Sequence, residues 1–91
     1  MLINELFTTI LSRRTADPAT SYTARLFAAG EDELLKKVGE EAVEVILAAK
    51  SQGNARLIEE AADLTYHLLV LLAARGLSPA DVEAELIKRK K

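Results

Sequence analysis

The sequence contains no cysteine, and it also lacks a long apolar run and an excess of positive charge. Without cysteine there are no disulfides and no thiolate chemistry, so any metal must be held by oxygen or imidazole ligands. The longest apolar stretch, residues 64–74, is interrupted by His67 and is too short to span a bilayer. With 12 Lys and Arg against 14 Asp and Glu, the chain lacks the basic excess of a generic nucleic-acid binder. The sequence therefore predicts neither a membrane nor a nucleic-acid partner.

The remaining composition is typical of one small globular domain. The chain has 91 residues, of which 49% are hydrophobic and 29% charged, so we expect a single domain over residues 1–91. The first 14 residues carry Asn4 and Glu5 within their apolar pattern and have no cationic start, which argues against a signal peptide. A cytoplasmic location is the resulting prediction.

Two helices are predicted in the first third of the chain. Apolar residues recur at three- and four-residue steps from Leu2, which predicts an amphipathic helix ending near Arg14. The turn signal Asp17-Pro18 follows it. Thr20 or Ser21 then caps a short second helix, which closes at Gly30.

Three further helices complete an all-α prediction. A long third helix covers about residues 32–51, and Asn54 is predicted to cap a fourth helix that reaches Arg75 and closes at Gly76. The segment Ser78–Asp81 combines an N-cap, an N1 proline and an acid at N3, so a fifth helix begins there. Because the link between helices three and four is short, we expect a central antiparallel hairpin within a bundle of about five helices.

The third helix carries an acidic face. At 100° per residue, Glu40, Glu41 and Glu44 share one side with Lys37, opposite the apolar residues. Two interpretations stay open at this point. The face is either an ordinary solvated acidic surface, or a site in which a cation relieves the repulsion between like charges spaced i, i+4.

The fourth helix carries acids within an apolar surrounding. Residues 61–74 are apolar on nearly every side, and Glu60, Asp63 and His67 share one stripe at i, i+3 and i+7. Glu60 can still be exposed near the helix start, whereas an unpaired buried Asp63 would have to be protonated, paired or bound to a metal. For His67, a hydrogen-bonded core position and a ligand role both stay open.

Joining these helices as a hairpin places four carboxylates together. Glu41 and Glu44 on one helix would face Glu60 and Asp63 on the other. Carboxylates without a thiol or a histidine pair favour Mg²⁺, with Mn²⁺ as the alternative, and magnesium held in this way commonly serves phosphate chemistry. The spacing does not specify which phosphate ester is the substrate.

The same residues resemble a known family. Glu40-Glu41-Ala42-Val43-Glu44 followed by Glu60-Ala61-Ala62-Asp63 matches the EExxE…ExxD signature of the MazG-type all-α NTP pyrophosphohydrolases. Residues 21–24, 37–42 and 60–68 further resemble the phosphoribosyl-ATP pyrophosphohydrolase family, and the likeness covers about residues 2 to 89. It implies hydrolysis of phosphoribosyl-ATP to phosphoribosyl-AMP and pyrophosphate, the second step of histidine biosynthesis. The Mg²⁺ ligands that it implies are Glu41, Glu44, Glu60 and Asp63.

The resemblance also assigns roles around the metal. Glu40 would be a further ligand or the base that orients the attacking water, and Lys37 would meet a phosphate oxygen. The residues expected near the substrate are Ser21, Tyr22 and Thr23. Three arginines are further phosphate candidates, with a plain solvated-surface role as the alternative: Arg14, Arg25 and Arg89.

The family likeness implies a stand-alone enzyme that forms a homodimer or a higher assembly. The apolar girth of the fourth helix agrees with a subunit interface. Two alternative functions stay open. A house-cleaning pyrophosphatase for dUTP, dCTP or mixed NTPs would use the same metal chemistry, although the Ser21–Thr23 and Tyr66-His67 segments argue against it. A non-enzymatic helical dimerisation module would need no divalent cation.

Overall fold

The computed structural model describes residues 2–90; Met1 and Lys91, the two ends of the predicted domain, lie outside the described residues. Helices dominate this range, and it contains no β-strand, which confirms the all-α prediction. The α-helices, in chain order, are α1 Leu2–Ser12, α2 Tyr22–Ala29, α3 Glu31–Leu47, α4 Asn54–Ala74 and α5 Pro79–Lys88. A 3₁₀ turn follows α1 at Arg13–Thr15, and a π turn follows α3 at Ala48–Gln52. None of the helices in residues 2–90 is both long and apolar enough to cross a membrane.

Helices α3 and α4 form the predicted antiparallel hairpin. Glu31, at the start of α3, makes a bidentate ion pair with Arg75 just after the end of α4. Further along α3, Glu41 meets His67, which lies earlier in α4. A later position in α3 thus pairs with an earlier position in α4. This register decides which acidic residues lie at the same height.

The start signals of α2 and α5 are where the sequence predicts them. The Ser21 hydroxyl accepts the backbone N–H of Ala24 at 3.1 Å, which satisfies one of the free donors at the start of α2. Pro79 is the first residue of α5, and the Asp81 carboxylate accepts the Ser78 backbone N–H at 2.9 Å. Both caps are confirmed.

The end of α4 is a Schellman motif. Gly76 adopts φ +70° and donates its N–H to the Ala73 carbonyl at 3.1 Å, while Leu77 donates to the Leu72 carbonyl at 2.8 Å. A left-handed residue is needed at this point, which explains the glycine. The predicted closure of α4 at Gly76 is confirmed.

One predicted detail at the hairpin turn is wrong. Asn54 is not the cap of α4 but its first helical residue; Gly53 stands before it at φ +88°, with no side-chain cap. A positive φ reverses the chain here, and glycine adopts it without steric cost. The predicted end of the third helix near residue 51 is confirmed, because a π turn at residues 48–52 continues the helix beyond Leu47.

The hydrophobic core lies at one end of the hairpin. Its buried residues come from α1, α2, the first half of α3 and the last third of α4: Phe7, Ile10, Leu26, Leu34, Leu69, Val70 and Ala73. Around the turn of the hairpin, Ala48 is fully buried between the helices, but large apolar side chains lie open there. These exposed residues are Val43, Ile46, Leu47 and Ile58. The hairpin therefore extends beyond the core and carries an uncovered apolar surface, which we call the hairpin tip.

Candidate active site

Three helices meet at the side chains of Glu41, His67 and Tyr22. Glu41 Oε1 lies 2.6 Å from His67 Nδ1 across the hairpin. The same Nδ1 lies 3.0 Å from the Asp63 backbone carbonyl oxygen, and Nε2 lies 2.7 Å from the Tyr22 hydroxyl. His67 is therefore a buried, hydrogen-bonded residue, as one of the two interpretations held, and both its ring nitrogens have protein partners.

The Glu41 carboxylate is held in an unfavourable place for a negative charge. Its side chain is only 15% exposed, and the buried Oε1 shares the His67 Nδ1–H with the Asp63 carbonyl. Burial raises the pKa of Glu41, and the charge of Asp63 raises it further, while His67 and Lys37 oppose the rise. An acidic oxygen in this state favours a proton or a cation as its partner.

Tyr22 experiences the same negative field. Burial raises the pKa of the Tyr22 phenol above 10.0, and the charges of Glu41 and Asp63 add to that increase. Both Glu41 and Asp63 thus act on the same hydroxyl from two different helices. The region between α2, α3 and α4 around Tyr22, Glu41 and Asp63 is therefore electronegative, as a cation site requires.

The solvent exposures of Asp63 and Glu60 are the reverse of those that the sequence suggests. Asp63 is exposed in the isolated chain, so the expectation that it is buried in an apolar surrounding is wrong. Glu60, which was free to be exposed, is buried at 7% and pairs with Arg56 at 2.5 Å. Arg56 lies one turn earlier on α4 and neutralises the carboxylate, so a buried Glu60 does not by itself require a metal.

The hairpin register brings some of the predicted metal ligands together and separates others. Because Glu41 faces His67, Glu44 comes one turn later at about the height of Asp63. Glu60 lies a further turn toward the hairpin turn, beside Arg56. Among residues 2–90, no three carboxylate or imidazole groups converge at the spacing of a preformed metal centre. The four-carboxylate ligand set stays a prediction.

Two further predicted site residues, Glu40 and Lys37, also lie on α3. Glu40 is exposed, while Lys37 is half-buried and close enough to Glu41 to lower the pKa of that carboxyl. The lysine therefore offers a positive charge beside the electronegative region.

The predicted substrate segment at the start of α2 divides into three different positions. Ser21 uses its hydroxyl to cap the helix, and Thr23 is buried with its hydroxyl on that of Tyr66. Tyr22 is 44% exposed and reaches both solvent and His67. Of the three, Tyr22 is the residue that extends from the electronegative region to solvent.

The three candidate arginines are dispersed. Arg25 donates to the Pro18 carbonyl at 3.0 Å and lies 5.9 Å from the centre of the Tyr22 ring, so it borders the site. Arg14 lines a separate cavity together with Glu31, at the other end of α3 from the hairpin turn. Arg89 pairs with Glu85 on α5 at 2.9 Å. The isolated chain does not bring Arg14 or Arg89 to Glu41.

Sequence reasoning missed two relationships in this region. The pairing of Arg56 with Glu60 was readable, because oppositely charged residues at i, i+4 are neighbours on a helix. The contact between Tyr22 and His67 had no local signal, since the residues are 45 positions apart and meet only when α2 packs on the hairpin.

A hard cation fits the residues that are present. Glu41 supplies a buried oxygen that shares its His67 donor with a carbonyl, and Asp63 supplies a second, exposed carboxylate near it. Magnesium usually keeps several waters and is held by one or two protein carboxylates together with substrate phosphates. The donor set of this site is of that type.

Comparisons with known proteins agree with this chemistry. Residues 3–90 match the family model described as phosphoribosyl-ATP pyrophosphohydrolase. The chain is 58% identical to a phosphoribosyl-ATP pyrophosphatase of Pelotomaculum thermopropionicum over 98% of this chain and 91% of that protein. It is 52% identical to the protein of the same name from Paramagnetospirillum magneticum, over 97% of this chain and 81% of the relative. It is 48% identical to the protein of the same name from Dechloromonas aromatica, over 98% of this chain and 82% of that relative.

Proposed function

The chain belongs to the phosphoribosyl-ATP pyrophosphohydrolase family, and we propose that it hydrolyses phosphoribosyl-ATP to phosphoribosyl-AMP and pyrophosphate in histidine biosynthesis. Water adds to a phosphorus atom of the α–β anhydride, the bridging P–O bond breaks, and the water proton leaves to a base. The relatives bear an enzyme name, and this supports a hydrolase over a non-enzymatic dimerisation module.

The buried Oε1 of Glu41 is the observation that carries this proposal. It shares its donor, the His67 N–H, with a backbone carbonyl and has the Asp63 charge nearby, so a divalent cation would satisfy both carboxylates at once. We propose that Glu41 and Asp63 hold Mg²⁺ and that Glu44 and Glu60 complete the ligand set. Bound there, the ion supplies charge neutralisation for the phosphates and a more acidic water.

The neighbouring residues would act directly on the substrate. Lys37, beside Glu41, meets a phosphate oxygen as negative charge develops during cleavage. Glu40 is exposed on the same helix and serves either as a further ligand or as the base for water. The exposed edge of Tyr22 contacts the substrate at the mouth of the site.

A second copy of the chain is part of the proposal. The hairpin tip leaves Val43, Ile46 and Ile58 uncovered at 54%, 65% and 69% exposure, and a homodimer or higher assembly would bury them. Sedimentation of the purified protein at micromolar concentration tests this, with a monomer contradicting it. A cytoplasmic location stays a prediction.

The activity is tested by substrate choice. Purified protein is incubated with phosphoribosyl-ATP, dUTP, dCTP or ATP, with and without Mg²⁺, and the release of pyrophosphate is measured. We expect phosphoribosyl-ATP to be preferred and the activity to disappear with EDTA. A preference for an ordinary nucleotide would favour the house-cleaning alternative, whose metal chemistry is the same.

A further inference from the structure

Tyr22, His67 and Glu41 form one line of contacts across three helices. The Tyr22 hydroxyl on α2 lies 2.7 Å from His67 Nε2 on α4, and His67 Nδ1 lies 2.6 Å from Glu41 Oε1 on α3. The histidine ring is 6% exposed, so its orientation is set by these partners rather than by water. The line runs from a half-exposed tyrosine to the carboxylate on which the proposed function depends.

The partners of His67 decide where its ring proton lies. Nδ1 faces the Asp63 carbonyl at 3.0 Å and the Glu41 carboxylate, and neither of these oxygens donates a proton. Nε2 faces a phenol, which is able to donate. In the neutral ring, the arrangement that satisfies all groups has the proton on Nδ1 and the Tyr22 O–H donating to Nε2.

We propose that Tyr22 and His67 are a positioning pair for Glu41: the two acceptor oxygens keep the proton on Nδ1, the Tyr22 O–H bonded to Nε2 holds the ring in this orientation, and the Nδ1–H keeps the Glu41 carboxylate against α4. In the other tautomer, a lone pair on Nδ1 would face two acceptor oxygens at close range, and Glu41 would turn away. The metal part of this inference rests on the proposed function. Groups placed in this way behind a ligand commonly change metal affinity when they are removed.

The chain offers a matched control for the Tyr22 contact. Tyr66 on α4 also makes a hydroxyl contact between α2 and α4, through Thr23. Its ring touches the side of His67, with centroids 5.5 Å apart, but its hydroxyl does not reach either ring nitrogen. Tyr66→Phe and Tyr22→Phe therefore each remove one hydroxyl from the same helix interface, and only Tyr22→Phe frees His67.

His67 is the single histidine of the chain, so its imidazole ¹⁵N signals report the tautomer without competing residues. In metal-free protein we expect the Nδ1–H pattern for the wild type and both variants, because the acceptor oxygens at Nδ1 remain, and we expect the Nε2 signal of Tyr22→Phe alone to move toward that of a nitrogen without a hydrogen-bond donor. An Nε2–H pattern in the wild type, or no change in Tyr22→Phe, overturns the proposal. This measurement does not depend on a metal.

The consequence for Glu41 is measured by calorimetric titration with Mn²⁺. We expect Tyr22→Phe to weaken binding by about tenfold, and Tyr66→Phe to change it less than about twofold. His67→Asn, which keeps an amide N–H near the Nδ1 position, should bind more tightly than His67→Ala. Equal affinities for the two tyrosine variants overturn the inference alone, whereas a wild-type protein that binds no Mn²⁺ overturns the proposed metal site as well.

Discussion

Glu41 and His67 meet across the helix hairpin with Oε1 and Nδ1 2.6 Å apart, and the ring N–H is shared between this carboxylate and the Asp63 carbonyl. The carboxylate is thus held in place without a donor of its own. Such an oxygen lowers the stability of the isolated chain. It is useful to an enzyme, because a bound cation or substrate supplies the positive charge or the donor that the oxygen needs. The stability of the fold has to come from elsewhere, namely from core packing, helix glycines and ion pairs.

Leu34 is the α3 residue that anchors the hairpin to the core. It is 1% exposed, and its neighbour in sequence, Leu35, is 47% exposed. Leu34→Ala leaves a cavity and should lower the free energy of unfolding by about 3 kcal/mol, whereas Leu35→Ala should change it by less than about 1 kcal/mol. Urea denaturation followed by circular dichroism measures both, and similar losses would contradict the placement of the core.

Two glycines should respond to alanine with opposite signs. Gly76 adopts φ +70° in the Schellman motif, while Gly39 lies within α3, and neither has an atom within 4 Å of a new Cβ. Gly76→Ala should destabilise the protein by about 1–2 kcal/mol through backbone strain alone. Gly39→Ala should stabilise it by about 0.5–1 kcal/mol, because alanine loses less backbone entropy in a helix. Thermal unfolding of the two variants distinguishes these outcomes.

The ion pair of Glu31 with Arg75 should make stability depend on acid pH. Hydrogen bonding to the guanidinium lowers the pKa of Glu31 below 4.5. A lowered folded-state pKa gives stabilisation that is present above the ordinary glutamate value and is lost as the pH falls through the lowered value. Glu31→Gln should flatten this part of the stability profile in denaturation experiments from about pH 6 to pH 3. An unchanged profile would show that the exposed pair contributes nothing.

Arg56 should stabilise α4 by compensating Glu60. Arg56→Gln leaves a carboxylate that is 7% exposed without its cation, and we expect a loss of roughly 1–3 kcal/mol, since Arg56 itself is partly solvated. Glu59 also contacts Arg56, at 3.5 Å, but its side chain is 60% exposed. Glu59→Gln is therefore the control, with an expected change below about 0.5 kcal/mol. Equal losses of stability in the two variants would mean that Glu60 is not the ion-pair partner through which Arg56 stabilises α4.

Local signals in the sequence predicted most of the fold. The Ser21 cap, the acid after Pro79 and the glycine at position 76 each act on backbone groups a few residues away, so spacing alone locates them. The prediction that Asn54 caps α4 is wrong. Asn54 and Gly53 both suit a helix start, but the turn requires a positive φ rather than a side-chain oxygen.

The same local signals predicted less of the candidate site. Apolar neighbours in sequence suggested that Asp63 is buried and left Glu60 uncertain, but exposure depends on which side of α4 faces α3. Helix periodicity gives the angle between residues and not the absolute orientation of the helix in the bundle. The link from Tyr22 to His67 likewise required the packing of α2 on the hairpin.

The central claim is that the Glu41 carboxylate supports Mg²⁺-dependent hydrolysis, and Glu41→Gln tests it most directly. The amide keeps the shape of the side chain and removes the buried charge, so melting temperature should stay equal or rise. Pyrophosphate release from phosphoribosyl-ATP at saturating Mg²⁺ is measured beside Glu59→Gln. We predict that kcat/KM falls on the order of 100-fold or more for Glu41→Gln and changes less than about twofold for Glu59→Gln. A Glu41→Gln enzyme within about twofold of the wild type would contradict the account.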